Sequence, residues 1–114
     1  MISICFNPLV SLPNNNMVRE ALEKLEYFVA IDFFLSETAR HADVVMAGSL
    51  HEEDEGTVTT AEGRVVRINA AVTPPGNARR DSDIVMELAG RLGAGDKFNF
   101  VNSEAIFNEL RVAS

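Results

Sequence analysis

The sequence holds 114 residues, 46% of them hydrophobic and 24% charged, with a net charge of −7 and a single cysteine. A chain of that length can bury about two-thirds of its unfolded surface without a disulfide or metal staple, and one cysteine makes neither an internal disulfide nor a thiolate cage. Ten Lys and Arg against 17 Asp and Glu, dispersed along the chain, argue against nucleic acid or an anionic membrane as partner. No apolar run reaches the roughly 18 residues of a membrane span, and the apolar start lacks the basic flank of a signal peptide. A soluble cytoplasmic domain is expected.

Residues 2–6 form a mostly apolar run ended by Asn7-Pro8 and predict a buried strand. The loop-like stretch 11–16 follows, and any of its asparagines could cap the next element. Over 17–26 the apolar residues Met17, Val18, Ala21, Leu22 and Leu25 make one helical stripe, with Arg19, Glu20, Glu23 and Lys24 on the wet side. The continuous run 27–31 is rich in aromatic and β-branched residues and predicts a strand covered on both faces, ended by Asp32. A short helix with Ser36 as cap and Glu37 in its first turn is expected next, and then a third short strand at 44–46. The order β-α-β-α-β is that of right-handed crossovers and a parallel sheet.

After Gly48 the character changes. Residues 51–55 are an acidic loop, and 57–60 and 64–68 read as two β segments around a turn at Ala61-Glu62-Gly63. Residues 73–77, with Pro74-Pro75-Gly76, are a loop that no regular element crosses. A helix at 82–92 has Asp81 as cap, the stripe Ile84, Val85, Leu88, Ala89 and Leu92, and Gly93 as its stop. A last helix at 104–112 has Ser103 as cap and Ile106, Phe107 and Leu110 as its apolar face. Repeats, low-complexity runs and linkers are absent, so the chain reads as one α/β unit: a three-layer, mostly parallel, Rossmann-like sheet with a hairpin excursion and C-terminal helices.

In open parallel sheets ligands bind outside the carboxyl ends of the strands. Asn7 follows the first strand and Asp32 the second. A strand-end carboxylate can accept two donors at once, which suits a guanine edge or a ribose diol. By themselves, though, Asp32 reads more often as a loop or helix-capping carboxylate, and Asn7 before Pro8 more often as turn chemistry than as a ligand contact. No strand is followed by Gly-x-Gly-x-x-Gly, and no phosphate-binding Gly-Lys-Ser/Thr loop exists. His41 and His51 lack metal spacing, and Cys5 reads as a small buried hydrophobe. Glu52 to Glu55 read as a solvated loop, with divalent-metal binding a lesser alternative. Arg79-Arg80 could meet a small anion. No catalytic residue and no metal ligand is assigned.

Several stretches taken together resemble one family. Asn7-Pro8-Leu9-Val10-Ser11-Leu12-Pro13-Asn14 is similar to its N-P-x-x-S-x-P-N segment. Asp32-Phe33-Phe34-Leu35-Ser36-Glu37-Thr38-Ala39, with Ala42-Asp43-Val44-Val45, is similar to its D-x-F-x-x-E-T-A-x-x-A-D-V-V. Glu53, Gly56-Thr57-Val58-Thr59, Glu62-Gly63-Arg64-Val65, Pro74-Pro75-Gly76-Asn77-Ala78-Arg79 and Asp81 follow in the family's order. The family is that of the molybdopterin oxidoreductases related to dimethyl sulfoxide reductase, and within it the pattern most resembles the formate dehydrogenase α subunit.

The resemblance implies an oxidoreductase carrying molybdenum or tungsten on molybdopterin guanine dinucleotide. The matched stretch would be its second guanosine-binding α/β domain, with cofactor contacts at Asn7, Ile31, Asp32 and Asp81. The departures are Asp54 where a Lys often stands, Thr60 for an Asn and Val66 for a Gln. The family's iron–sulfur cysteines, metal-ligating Cys or selenocysteine, first α/β domain and barrel domain have no counterpart here. The implied partners are therefore the remaining segments or subunits of such an oxidoreductase, and the chain is not expected to be catalytic alone. A structural or interaction domain that keeps the fold and has lost the cofactor is the rival reading.

Overall fold

The computed structural model describes residues 1–113. These fall into two compact units, one of residues 1–49 and 76–81, the other of 50–75 and the described residues from 82 onward.

The first unit is built on three parallel strands, β1 (Ile2–Ile4), β2 (Val29–Asp32) and β3 (Val44–Ala47), in the order β1-β2-β3. Ile4, Ile31 and Met46 stand side by side in the register, as do Ser3, Ala30 and Val45. The parallel sheet expected from the β-α-β-α-β order is present. β1 is shorter than its apolar run because Cys5 turns into the left-handed region, with φ of 48°.

Two helices precede β2. The first, α1 (Pro8–Ser11), is a single turn that the sequence reading missed; Pro8 starts it, where a missing N–H is no loss. The second, α2 (Asn15–Glu23), begins earlier than its apolar stripe. Among the loop asparagines Asn14 is the cap: it sits at φ 59°, where Asn is tolerated, and its Oδ1 accepts from the Met17 amide. Leu9 of α1, Leu22 of α2, Phe28, Ala30 of β2 and Ala39 form the core of the unit, flanked by Val18, Leu25 and Ala42.

In place of the expected short helix stands a 3-10 turn at Ala39–His41. Ser36 still serves it, its hydroxyl accepting from the Ala39 amide at 3.2 Å. Only β2 keeps both faces covered, through Ala30 and Ile31, while Ile2, Ile4, Val44 and Val45 are exposed. The β3 edge is closed at its end by a parallel bridge between Gly48 and Arg79. Beside β1 runs an apolar groove of about 620 Å³, lined by Ile2, Ile4, Phe6, Leu12, Met17 and Ala21 among others.

The second unit holds the hairpin β4 (Gly56–Thr59) and β5 (Val65–Ile68), antiparallel with Val58 opposite Val66. Its turn is the expected one, with Gly63 at φ 81°. The helices α3 (Asp81–Arg91) and α4 (Ser103–Ala113) lie within a residue of expectation at each end. Gly93, at φ 82°, ends α3 with bonds from Gly93 N to Gly90 O and from Ala94 N to Ala89 O, the paired closure of a Schellman motif. Asn102 rather than Ser103 caps α4, accepting from the Ala105 amide at 2.9 Å. An open cavity of about 550 Å³ lies between the hairpin and α4, lined in part by Val65, Arg67, Glu104, Ile106 and Phe107.

Candidate functional site at the carboxyl ends of the strands

Parallel strands all end on one side, so residues that follow β1, β2 and β3 gather there whatever their distance in sequence. In the first unit that side collects Cys5 and Asn7 after β1, Asp32 at the end of β2, and Gly48 after β3. Asp81 belongs to the same unit. Ile31 is buried at 3% exposure, and its carbonyl accepts from the Cys5 amide at 2.8 Å, extending the β1–β2 ladder by one bond.

Asn7 is half-buried. Its carbonyl accepts from the Val10 and Ser11 amides, opening α1. Its side-chain Oδ1 accepts from the Thr38 hydroxyl, and Thr38 Oγ1 in turn accepts from the Leu9 amide at 3.1 Å. Thr38 is 1% exposed, so this three-member chain fixes the Asn7 amide from the protein's interior and leaves its NH2 end for other contacts.

Asp32 is also half-buried. Its Oδ1 accepts from the Phe34 amide at 3.3 Å and its Oδ2 from the Ser36 hydroxyl at 3.2 Å. The carboxylate therefore organises its own loop, which raises Phe33 and Phe34 as an exposed edge-to-face pair with ring centroids 4.9 Å apart. An ionised carboxylate has about four lone-pair sites, so two remain for a ligand.

Asp81, expected as the cap before α3, is instead its first residue. Its Oδ2 accepts from the Cys5 thiol at 3.2 Å. Gly48, which is buried, lies so close that a β-carbon built on it would be 2.7 Å from Asp81 Oδ1 and 3.4 Å from Ile31 Cγ2. The Gly48 amide donates to the Asp32 carbonyl at 3.2 Å, and the Arg79 amide to the Ala47 carbonyl at 3.0 Å.

Two expectations are corrected here. Cys5 is not a buried hydrophobe but an exposed thiol on left-handed backbone. Glu53 is not part of a solvated loop: it is 6% exposed, within a 3-10 turn at His51–Glu53, and its Oε2 accepts from the Leu50 amide at 2.8 Å. Among the described residues no group of three or more His, Cys, Asp and Glu is placed to hold a metal ion. His41 is half-buried, with its Nε2 2.9 Å from Arg19 Nη1. Thr60 and Val66, the departures in the hairpin, and Asp54 lie in the second unit.

Sequence reasoning missed Cys5, Gly48 and Thr38 as members of this cluster. Thr38 carried a signal, being a small polar residue beside the core residue Ala39. Gly48 carried a weaker one, as the glycine that closes an apolar strand.

The comparisons with known proteins agree with one another. The family model described as Molybdopterin oxidoreductase matches residues 1–91. The assimilatory nitrate reductase catalytic subunit of Bacillus subtilis (strain 168) is 51% identical over 111 residues, which is 97% of this chain and 16% of that protein. The F420-dependent formate dehydrogenase subunit alpha of Methanocaldococcus jannaschii is 49% identical over 105 residues, 92% of this chain and 16% of that protein. The solved structure of acetylene hydratase from Pelobacter acetylenicus matches with a TM-score of 0.81 at 25% identity, covering 94% of this chain and 15% of that one. The chain thus spans about 15–16% of the length of these relatives. No helix among the described residues is long and apolar enough to cross a membrane.

Proposed function

The chain belongs to the molybdopterin oxidoreductase family, and from that premise we propose that it binds the guanosine end of a molybdopterin guanine dinucleotide. It would do so as a single nucleotide-binding portion of a larger oxidoreductase, completed by that enzyme's remaining segments or subunits. Asn7, Ile31, Asp32 and Asp81 are the proposed contacts. The observation that carries the reading is the gathering of Asn7, Asp32 and Asp81 in one compact unit, beside the carboxyl ends of its parallel strands.

The donor set fits the nucleotide end of such a group. Guanine offers N1–H and the exocyclic amine side by side, and a strand-end carboxylate accepts that pair. The Asp32 oxygens keep lone pairs beyond the Phe34 and Ser36 bonds, and the Asn7 amide adds a group that both donates and accepts. Neither carboxylate suits a phosphate, so the diphosphate and pterin would meet other parts of the enzyme. When bound, the cofactor's metal would supply the redox chemistry; this chain's residues bind and orient its far end.

The relatives' names divide between nitrate reductase and formate dehydrogenase, and the formate dehydrogenase likeness of the motifs does not choose between them. The rival reading, a structural domain without cofactor, draws its support from Asp54, Thr60 and Val66, each a departure from the family's polar pattern.

Titration with GMP, followed by backbone amide shifts, tests the proposal. Shifts are expected around Asp32, Gly48 and Asp81, with AMP giving weaker ones because adenine lacks the paired N–H edge. A folded sample whose Asp32 region stays unmoved at millimolar GMP would sink the reading and favour the rival.

A further inference from the structure

We propose that Cys5 is a positioning residue, whose thiol holds the Asp81 carboxylate at the strand ends so that a nucleotide bound at Asp32 meets it there. The ligand in this statement rests on the guanosine reading above; the contact between Cys5 and Asp81 does not.

The backbone at Cys5 is unusual. It ends β1 in the left-handed region, at φ 48°, a conformation that a residue with a β-carbon adopts only at a cost. Burial of the side chain does not offset that cost, because Cys5 is exposed. What the conformation does supply is a hydrogen bond spanning 76 positions in sequence, from Cys5 Sγ to Asp81 Oδ2 at 3.2 Å. The donor is a thiol, a weak one, so the contact acts by orienting the carboxylate more than by its strength.

On its other side the same carboxylate is confined by Gly48, which has no space for a β-carbon beside Asp81 Oδ1. The bridge from Gly48 to Arg79 carries the chain segment before Asp81 alongside β3. Asp81 is therefore gripped by the residues that follow β1 and β3, the two neighbours of the strand that ends in Asp32. Asp81 is half-buried at the start of α3, and the thiol is one of the groups that select its rotamer.

The test compares the unaltered chain with Cys5→Ala and Cys5→Ser, each checked for native circular dichroism. GMP affinity, read from the amide shifts of Asp32 and Gly48, is expected to fall about three- to fivefold in Cys5→Ala, the worth of one modest hydrogen bond. Cys5→Ser keeps a donor at the same atom and is expected to stay within about twofold. Equal affinity in all three chains overturns the proposal while leaving the guanosine reading intact.

A second measurement needs no nucleotide. A thiol must lose its proton to be alkylated, and a carboxylate acceptor opposes that loss, so Asp81→Asn is expected to speed the reaction of Cys5 with iodoacetamide several-fold. If the unaltered chain fails to bind GMP, the guanosine reading falls and this rate alone decides whether Cys5 holds Asp81. An unchanged rate overturns the contact itself.

Discussion

Gly48 and Asp81 are in a contact that leaves no room for a methyl group: a β-carbon on Gly48 would stand 2.7 Å from Asp81 Oδ1, with Ile31 Cγ2 at 3.4 Å behind it. Gly48→Ala must therefore displace the Asp81 carboxylate, whereas Ile31 Cγ2 would stand at ordinary contact distance. A destabilisation of about 1–3 kcal/mol is expected from such overpacking, measured by urea unfolding. Because the obstacle is one side chain, the loss should shrink in an Asp81→Ala background. A double-mutant cycle that comes out additive within about 0.5 kcal/mol would show that the two residues are not coupled.

The hydroxyl of Thr38 does two tasks that its methyl group cannot, accepting from the Leu9 amide and donating to Asn7 Oδ1. Thr38→Val preserves shape and strands both partners, at a site 1% exposed. A loss of about 1–3 kcal/mol is expected. Thr38→Ser removes only a methyl and should cost about 1 kcal/mol. The order of the two midpoints in urea is the readout, and a serine variant less stable than the valine variant contradicts it.

Glu53 belongs to the second unit, and its carboxylate closes the turn onto the Leu50 amide. Hydrogen exchange at that amide should accelerate in Glu53→Ala. Glu53→Gln, which retains a side-chain carbonyl, should protect it better. Exchange at Leu50 that is unchanged in the alanine variant would mean that backbone geometry, not the carboxylate, holds the turn.

At the tip of the hairpin the Glu62 carboxyl is held below its ordinary value, chiefly by the Thr60 hydroxyl and then by its own backbone amide. A carboxyl depressed in the folded state stabilises above its unfolded value and loses that contribution as pH falls through its folded value. The group is fully exposed, so the effect is confined to the turn. Following the Glu62 carboxyl carbon by NMR, Thr60→Val should move its titration midpoint upward, and a midpoint that stays in place would remove Thr60 as the cause.

The parts of the molecule that local chemistry decides were legible in the sequence. The parallel β-α-β-α-β order, the hairpin around Gly63, and α3 with its stop at Gly93 all follow from periodicity and turn residues. Asp32 could be singled out because it ends an apolar run. Cys5 could not, because its neighbours are apolar and nothing local marks a left-handed residue inside an apolar run. Its partner lies 76 positions away, and such a pairing is set by tertiary placement alone. Glu53 was obscured by its neighbours: four carboxylates in succession look uniformly wet, yet one of them turns inward. The single-turn α1 was too short to show a period.

The bare outer side of β1 has a consequence for handling the molecule. In a parallel pair the bonds to a neighbour alternate along the strand; Met1 and Cys5 bond toward β2, which leaves the peptide groups of Ile2 and Ile4 directed to water. They lie beside a groove whose lining carries no charged side chain. An uncapped edge with apolar flanks is a template for irregular pairing, opposed here only by the long-range repulsion of a net charge of −7. Salt screens that repulsion. Colloidal stability of the isolated chain should therefore fall as ionic strength rises, the reverse of ordinary salting-in, and Ile2→Glu, which places a further negative charge on the edge, should restore it.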